Sequence, residues 1–217
     1  MTRPVLVLRP QPSADATAAR AAERGLRAVV APLFRIVPRD WTMPKMACDA
    51  LLITSANAAG ALDDRLDRRT PVYAVGEATA AAVRSAGFES VIAGPGHIDG
   101  LVPIAAANGV RSLLHLAGEH RTAFDPAGLR IETRTVYAAE PVAPPPAFAA
   151  ALLDGAVALL HSARAARRFR ELAGPGHRIA AISDAVICAA GEGWKAGVVA
   201  DRPTDDALLA AAARLCQ

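Results

Sequence analysis

The chain carries one passage twice. Leu52-Ile53-Thr54-Ser55-Ala56-Asn57-Ala58-Ala59 returns 107 residues later as Leu159-Leu160-His161-Ser162-Ala163-Arg164-Ala165-Ala166, and Val72-Tyr73-Ala74-Val75-Gly76-Glu77 returns at the same offset as Ile179-Ala180-Ala181-Ile182-Ser183-Asp184. Gly87-Phe88 then matches Gly193-Trp194 with one residue lost, before Val91-Ile92-Ala93 and Asp99-Gly100-Leu101 return at 107 as Val198-Val199-Ala200 and Asp206-Ala207-Leu208. A period this long exceeds the roughly 20–50 residues of a solenoid repeat, so it predicts two similar domains with a cleft between them. Clefts between domains are where small ligands bind. The 217 residues give each domain about 100, enough for a core of its own.

Within each copy, short continuous apolar runs alternate with helical stretches, the pattern of a parallel α/β sheet. Residues 5–8 predict a strand bounded by prolines, Ser13 or Asp15 a cap for the following helix, Gly25 its end, and 28–31 the next strand. The same order is expected again as a strand at 113–116, a loop and helix to Gly128, and a strand at 131–136. Two proline-marked segments, 33–40 and 135–146, break the rhythm and predict crossings between domains. If both cross, the first domain is discontinuous. The boundaries expected are 1–34 plus 144–217 for that domain, 40–133 for the inserted one, and 35–39 and 134–143 for the crossings.

Several function classes lose support here. A net charge of +3 without a long Lys/Arg run gives no nucleic-acid patch, and Arg164, Arg167, Arg168 and Arg170 on one expected helix read as a solvated face, with an anion site as the alternative. Cys48, Cys188 and Cys216, odd in number and widely spaced, predict free buried thiols in a reducing compartment. With no apolar signal-peptide core and no run of about 18 apolar residues, the expected location is the cytoplasm, with no membrane partner. His97, His115, His120, His161 and His177 form no metal-ligand spacing, and there is no Walker loop, no G-x-S-x-G elbow and no carboxylate pair.

What remains is a set of strand-to-helix turns. Thr54, Ser55 and Asn57 gather hydroxyls and backbone N–H groups where a helix is expected to start, as do His161, Ser162 and Arg164 in the second copy. Such turns favour carboxylates, although Ser and Thr there are also ordinary N-caps. Gly76 sits in another such turn with Thr79, where a glycine lets a backbone approach a ligand. Gly94-Pro95-Gly96-His97 and Gly174-Pro175-Gly176-His177 read as turns. Tyr137 lies in the second crossing, either as a weak acid or as a packing aromatic.

The order Leu8-Arg9-Pro10, Ile53-Thr54-Ser55, Ala74-Val75-Gly76 with Thr79, Gly87-Phe88, Gly118, Thr135-Val136-Tyr137, Ser162 and Pro203-Thr204 resembles the uroporphyrinogen-III synthase family along the whole chain. The resemblance implies two similar parallel-sheet α/β domains joined by a two-stranded β-ladder, with the ligand cleft between them. It implies a cofactor-free monomer that cyclises linear hydroxymethylbilane to uroporphyrinogen III, losing water and inverting ring D through a spiro intermediate. Each of the four pyrroles bears two carboxylates, so it implies binding by Arg9, Thr54, Ser55, Asn57, Gly76, Thr79, Gly118, Ser162, Arg164 and Ser183. Tyr137 would assist departure of the hydroxyl. The enzyme that forms hydroxymethylbilane is a candidate partner. Ser183-Asp184-Ala185-Val186 departs from the glycine and threonine pair that many members carry, leaving Ser183 to replace a missing hydroxyl contact. The alternatives are a non-catalytic two-domain tetrapyrrole binder and a regulatory protein of the same fold.

Overall fold

The computed structural model describes residues 2–45 and 47–217. β1 (Val5–Val7), α1 (Ser13–Glu23) and β2 (Ala28–Val30) come first, and β3 (Phe34–Pro38) leads out of them. β4 (Ala50–Ile53), a 3-10 helix (Ala56–Ala61), β5 (Val72–Ala74), α2 (Glu77–Ser85), β6 (Val91–Ala93), α3 (Ile98–Ala107) and β7 (Ser112–Gly118) follow. The long β8 (Arg130–Pro141) leads back to α4 (Pro146–Leu153), β9 (Val157–Leu160), α5 (Ala163–Ala173), β10 (Arg178–Ala181), α6 (Asp184–Ala190), β11 (Ala196–Val199) and α7 (Asp205–Cys216). Two compact units result: residues up to 35 with 140–217, and residues 36–139.

The first unit's sheet runs β2-β1-β9-β10-β11 and the second's β3-β8-β7-β4-β5-β6. Every pair is parallel except β3 with β8. There Val142 N–H donates to Leu33 O at 3.0 Å and Arg39 N–H to Val136 O at 2.9 Å. Partners descend along β8 as they ascend β3, the antiparallel sense. The repeat matches β4 with β9, β5 with β10 and β6 with β11, so the two strand orders coincide. Each copy of the repeat contributes its opening strands to one unit and its remaining strands to the other.

Composition explains the layers. The central strands β1, β9, β4, β5 and β7 are buried along their whole length, as parallel strands covered on both faces must be, whereas the edge strands β2, β6 and β11 are partly open. Alanine lets helices lie close: α1 buries Ala14, Thr17 and Ala21 on one stripe, and α7 buries Leu208, Leu209, Ala211, Ala212 and Cys216. In the first unit Phe169 stacks on Trp194 at 5.7 Å between centroids and meets Phe148 edge-on at 6.0 Å. Gly87 and Gly193 both take φ +89° after the matched helices, a conformation open to glycine at no steric cost.

Four expectations are corrected. No helix forms between β7 and β8, because residues 119–129 hold Pro126 and too few apolar positions to cover a sheet. Thr54 and Ser55 precede a six-residue 3-10 helix, too short for a strong N-terminal dipole. Pro12, not Ser13 or Asp15, occupies the N-cap of α1, and the Gln11 side chain accepts from Asp15 N–H at 3.3 Å. Of the three free cysteines, Cys216 is buried, Cys48 half-buried and Cys188 exposed, since position 188 lies on the open side of α6. Among the described residues no helix is long and apolar enough to cross a membrane, and no cluster could hold a metal ion.

Candidate functional site

In an open parallel sheet, ligands bind beyond the carboxyl ends of strands, where neighbouring strands send their connections in opposite directions. In the second unit that point lies between β7 and β4, and in the first between β1 and β9. Gly118 ends β7, Thr54 and Ser55 follow β4, and Arg9 and Ser162 follow β1 and β9.

Gly118 and Tyr137 form one piece of geometry. The β7–β8 register slips between Ala117 and Gly118, pairing Gly118 with Tyr137. The ring then lies on the glycine: a methyl there would stand 2.7 Å from Cζ and 2.8 Å from the hydroxyl oxygen. Glu119 N–H donates to Tyr137 O at 2.9 Å, and the Arg121 guanidinium donates to Gly118 O and Thr135 Oγ1, both at 3.2 Å. The phenol is therefore placed by backbone at the strand end.

Beside it, Thr54 Oγ1 stands 3.0 Å from Nε2 of His115, a residue of β7 only 2% exposed. Burial, helped by the Arg121 charge, pushes the imidazole down to about 4. Ser55 accepts from Asn57 N–H at 3.2 Å and so spends its hydroxyl as a cap, with Asn57 inside the 3-10 turn. Gly76 is extended at φ −167°, and a Cβ on it would meet Gly96 Cα at 3.4 Å, so it accommodates the neighbouring turn. Thr79 is 6% exposed, a buried residue of α2.

In the first unit, Arg9 donates to Thr17 Oγ1 at 3.3 Å and lies 3.8 Å from Asp205. Asp205 also accepts from Thr17 Oγ1 at 2.9 Å, Arg20 at 2.8 Å and His161 Nε2 at 2.7 Å. Burial alone would raise its carboxyl, yet the His161, Thr17 and Arg20 hydrogen bonds hold it far below the usual carboxylate range. Burial also lowers Arg9 and His161, each against the pull of Asp205. Ser162 caps α5 through Ala165 N–H at 3.2 Å, and the Arg164 guanidinium lies 4.6 Å above the Phe34 ring. Ser183 is the N-cap of α6 without a side-chain capping bond, which leaves its hydroxyl uncommitted as a cap, and Asp184 beside it is exposed.

Sequence reasoning missed the partners that fix these groups. His115 interrupts the run Leu113-Leu114-His115-Leu116 on a wholly buried strand, and that position was its only signal. Asp205, following the Thr204 cap in the first turn of α7, carries no local signal of its partners.

A pH dependence follows from His115. Its folded pKa lies below the unfolded value, so between about pH 6.5 and 4 the unfolded chain binds a proton that the folded one refuses, and stability falls with pH by about 3 kcal/mol. Urea titrations at pH 7 and 4.5 should show most of this loss in wild-type protein and little of it in His115→Leu. Equal losses would mean that the ring is not buried and neutral.

Compared with known proteins, the chain matches over residues 15–210 the family model described as HEM4, uroporphyrinogen-III synthase HemD. No curated protein matches it. Among solved structures it is similar to uroporphyrinogen-III synthetase from Helicobacter pylori 26695, with a TM-score of 0.67 at 17% identity over 99% of this chain and 100% of that one. Uroporphyrinogen III synthase from the extremely thermophilic bacterium Thermus thermophilus matches at 20% identity over 99% and 97% of the two chains, with a TM-score of 0.44. At 17% identity the likeness to the Helicobacter pylori structure concerns the fold.

Proposed function

The chain belongs to the uroporphyrinogen-III synthase family, and from that premise we propose how its residues serve ring closure with inversion. The family match over residues 15–210 carries the reaction; the Tyr137 and Gly118 geometry supports the roles. The substrate is hydroxymethylbilane, received from the enzyme that makes it, and the protein acts as a cytoplasmic monomer, a carbon–oxygen lyase that releases water.

The hydroxymethyl C–O bond on ring A breaks as the pyrrole nitrogen's electrons push in, and the departing oxygen takes up a proton to leave as water. Tyr137 O–H donates a hydrogen bond to that oxygen. The substituted carbon of ring D attacks the resulting azafulvene carbon, giving the spiro intermediate, whose fragmentation and reclosure at the free α-carbon invert the ring and release a proton. Because the substrate supplies the electron push, the protein's task is to hold one geometry and to stabilise transient positive charge. Carboxylates of the substrate meet Arg9, Arg164 and the hydroxyls of Thr54 and Ser183, with N–H groups of the Ser55, Gly76 and Ser162 turns as further donors.

Isomer analysis tests the reaction. Freshly generated hydroxymethylbilane is incubated with the protein, the products are oxidised, and type I and type III porphyrins are separated. A type III excess over the protein-free control is expected; type I alone would reduce the chain to a binder. Tyr137→Phe should lower kcat about tenfold, less than a full general acid contributes because the leaving step is already driven from the substrate. Unchanged turnover would remove the hydroxyl from the step.

A further inference from the structure

Resting on the reading of Thr54 as a substrate contact, we propose that His115 is a positioning residue that turns the Thr54 hydroxyl into a fixed hydrogen-bond donor. His115 Nε2 lies 3.0 Å from Thr54 Oγ1, while Nδ1 is buried and has no hydrogen-bond partner among the described residues. Phe124 closes the ring's surroundings edge-on at 5.7 Å.

A neutral imidazole carries one N–H. With the proton on Nδ1, a donor would be orphaned in the interior, an arrangement that folded proteins rarely tolerate. With the proton on Nε2, that N–H donates to Thr54 Oγ1 and only a ring lone pair is left unpaired. The second tautomer wins. Thr54 Oγ1 then accepts from the histidine, and its own proton must be donated elsewhere. Thr54 is half-buried, at the carboxyl end of β4, so the proton has an open side to point to. An acceptor-only group, such as a substrate carboxylate, is the match for that proton.

The repeat sharpens the point. The position matched to Thr54 is His161, whose Nε2 is 2.7 Å from Asp205 within a closed set of ion pairs. One copy of the turn offers a hydroxyl held by a histidine, while the other uses its histidine to bind its own unit. The donor is thus a property of the second unit alone.

Nitrogen-15 shifts of the His115 ring in wild-type protein at pH 7 report the tautomer without turnover. A proton on Nε2 is expected, and one on Nδ1 overturns the assignment. In steady-state kinetics with hydroxymethylbilane, Thr54→Val and His115→Leu should each raise KM about tenfold, with the smaller change in kcat, as loss of a bond to a charged group held equally in ground and transition states requires. The double variant should lose no more than either single one. His115→Gln, whose amide nitrogen reaches the place of Nε2, should recover most of the affinity. A raised KM in Thr54→Val with an unmoved KM in His115→Leu, or additive losses in the double variant, overturns the positioning role. Unmoved KM in both variants overturns Thr54 as a contact, and the role with it. A wild-type protein that yields only type I product overturns the reaction itself.

Discussion

Gly118→Ala will cut turnover about a hundredfold while leaving the protein folded. The new methyl would stand 2.7, 2.8 and 2.9 Å from Cζ, the hydroxyl oxygen and Cε2 of Tyr137, whereas carbon atoms settle at about 3.5–4.0 Å. Something must move by about 1 Å, and the ring end of Tyr137 is the part free to swing. Gly118 lies outside the left-handed region, so alanine brings no backbone strain. A shift of about 1 Å in a group that positions a reacting atom can cost a hundredfold in rate. Tyr137→Phe removes only the oxygen, whereas the methyl drives the ring itself against the substrate, so the larger methyl effect separates the ring's placement from the hydroxyl's chemistry. Thermal melts of both variants should stay within a few degrees of wild type. Full activity in Gly118→Ala would mean that the phenol does not act where the structure holds it.

Asp205→Asn should destabilise the protein by about 3 kcal/mol, the lower end for a broken buried charge cluster, since Arg20 is 39% exposed and water screens it. The carboxylate holds Thr17 and Arg20 of α1 and His161 after β9 to the first turn of α7, joining elements from both ends of the chain. An amide can accept at one oxygen only, and it leaves Arg9 and Arg20 without their counter-charge. The folded pKa of Asp205 is depressed, so its contribution is fully present above the unfolded value of about 4 and fades only below it. Urea unfolding at pH 7 should therefore show the whole difference between wild type and variant, and below pH 4 the two should converge. A difference that persists undiminished at pH 2.5 would show that the carboxylate's charge is not what matters.

The repeat made the α/β class and most strands readable. Continuous apolar runs such as Val5-Leu6-Val7 and Leu51-Leu52-Ile53 have one common use at that length, the middle of a parallel sheet. Symmetry also misled. Because 5–31 holds a helix, one was expected in 119–128, where the sequence lacks an apolar stripe and the chain simply loops. Thr54-Ser55 and His161-Ser162 occupy matched positions, yet the first pair leads into a 3-10 turn and bonds a histidine while the second caps a three-turn helix. What separates them is contributed by residues far away in the chain: His115 for Thr54, and for the neighbouring position His161, Asp205. A local pattern carries no trace of partners separated by 61 and 44 residues. The Tyr137 placement was hidden for the same reason, because a one-residue slip in pairing has no local signature.

The exchange of strands between the two copies of the repeat has a consequence for the order in which the protein is born. β1 sits at the middle of its sheet, between β2 and β9, so a nascent chain that has made residues 1–30 holds a strand whose other neighbour begins only at Val157. At roughly 5–20 residues per second the ribosome needs on the order of ten seconds to deliver that neighbour. The unit at 36–139 is continuous and can close during the wait. The β1-α1-β2 segment, with Val5, Val7 and Ala21 uncovered, must wait for its sheet until β9 has been made. Until then its apolar face is open to a chaperone.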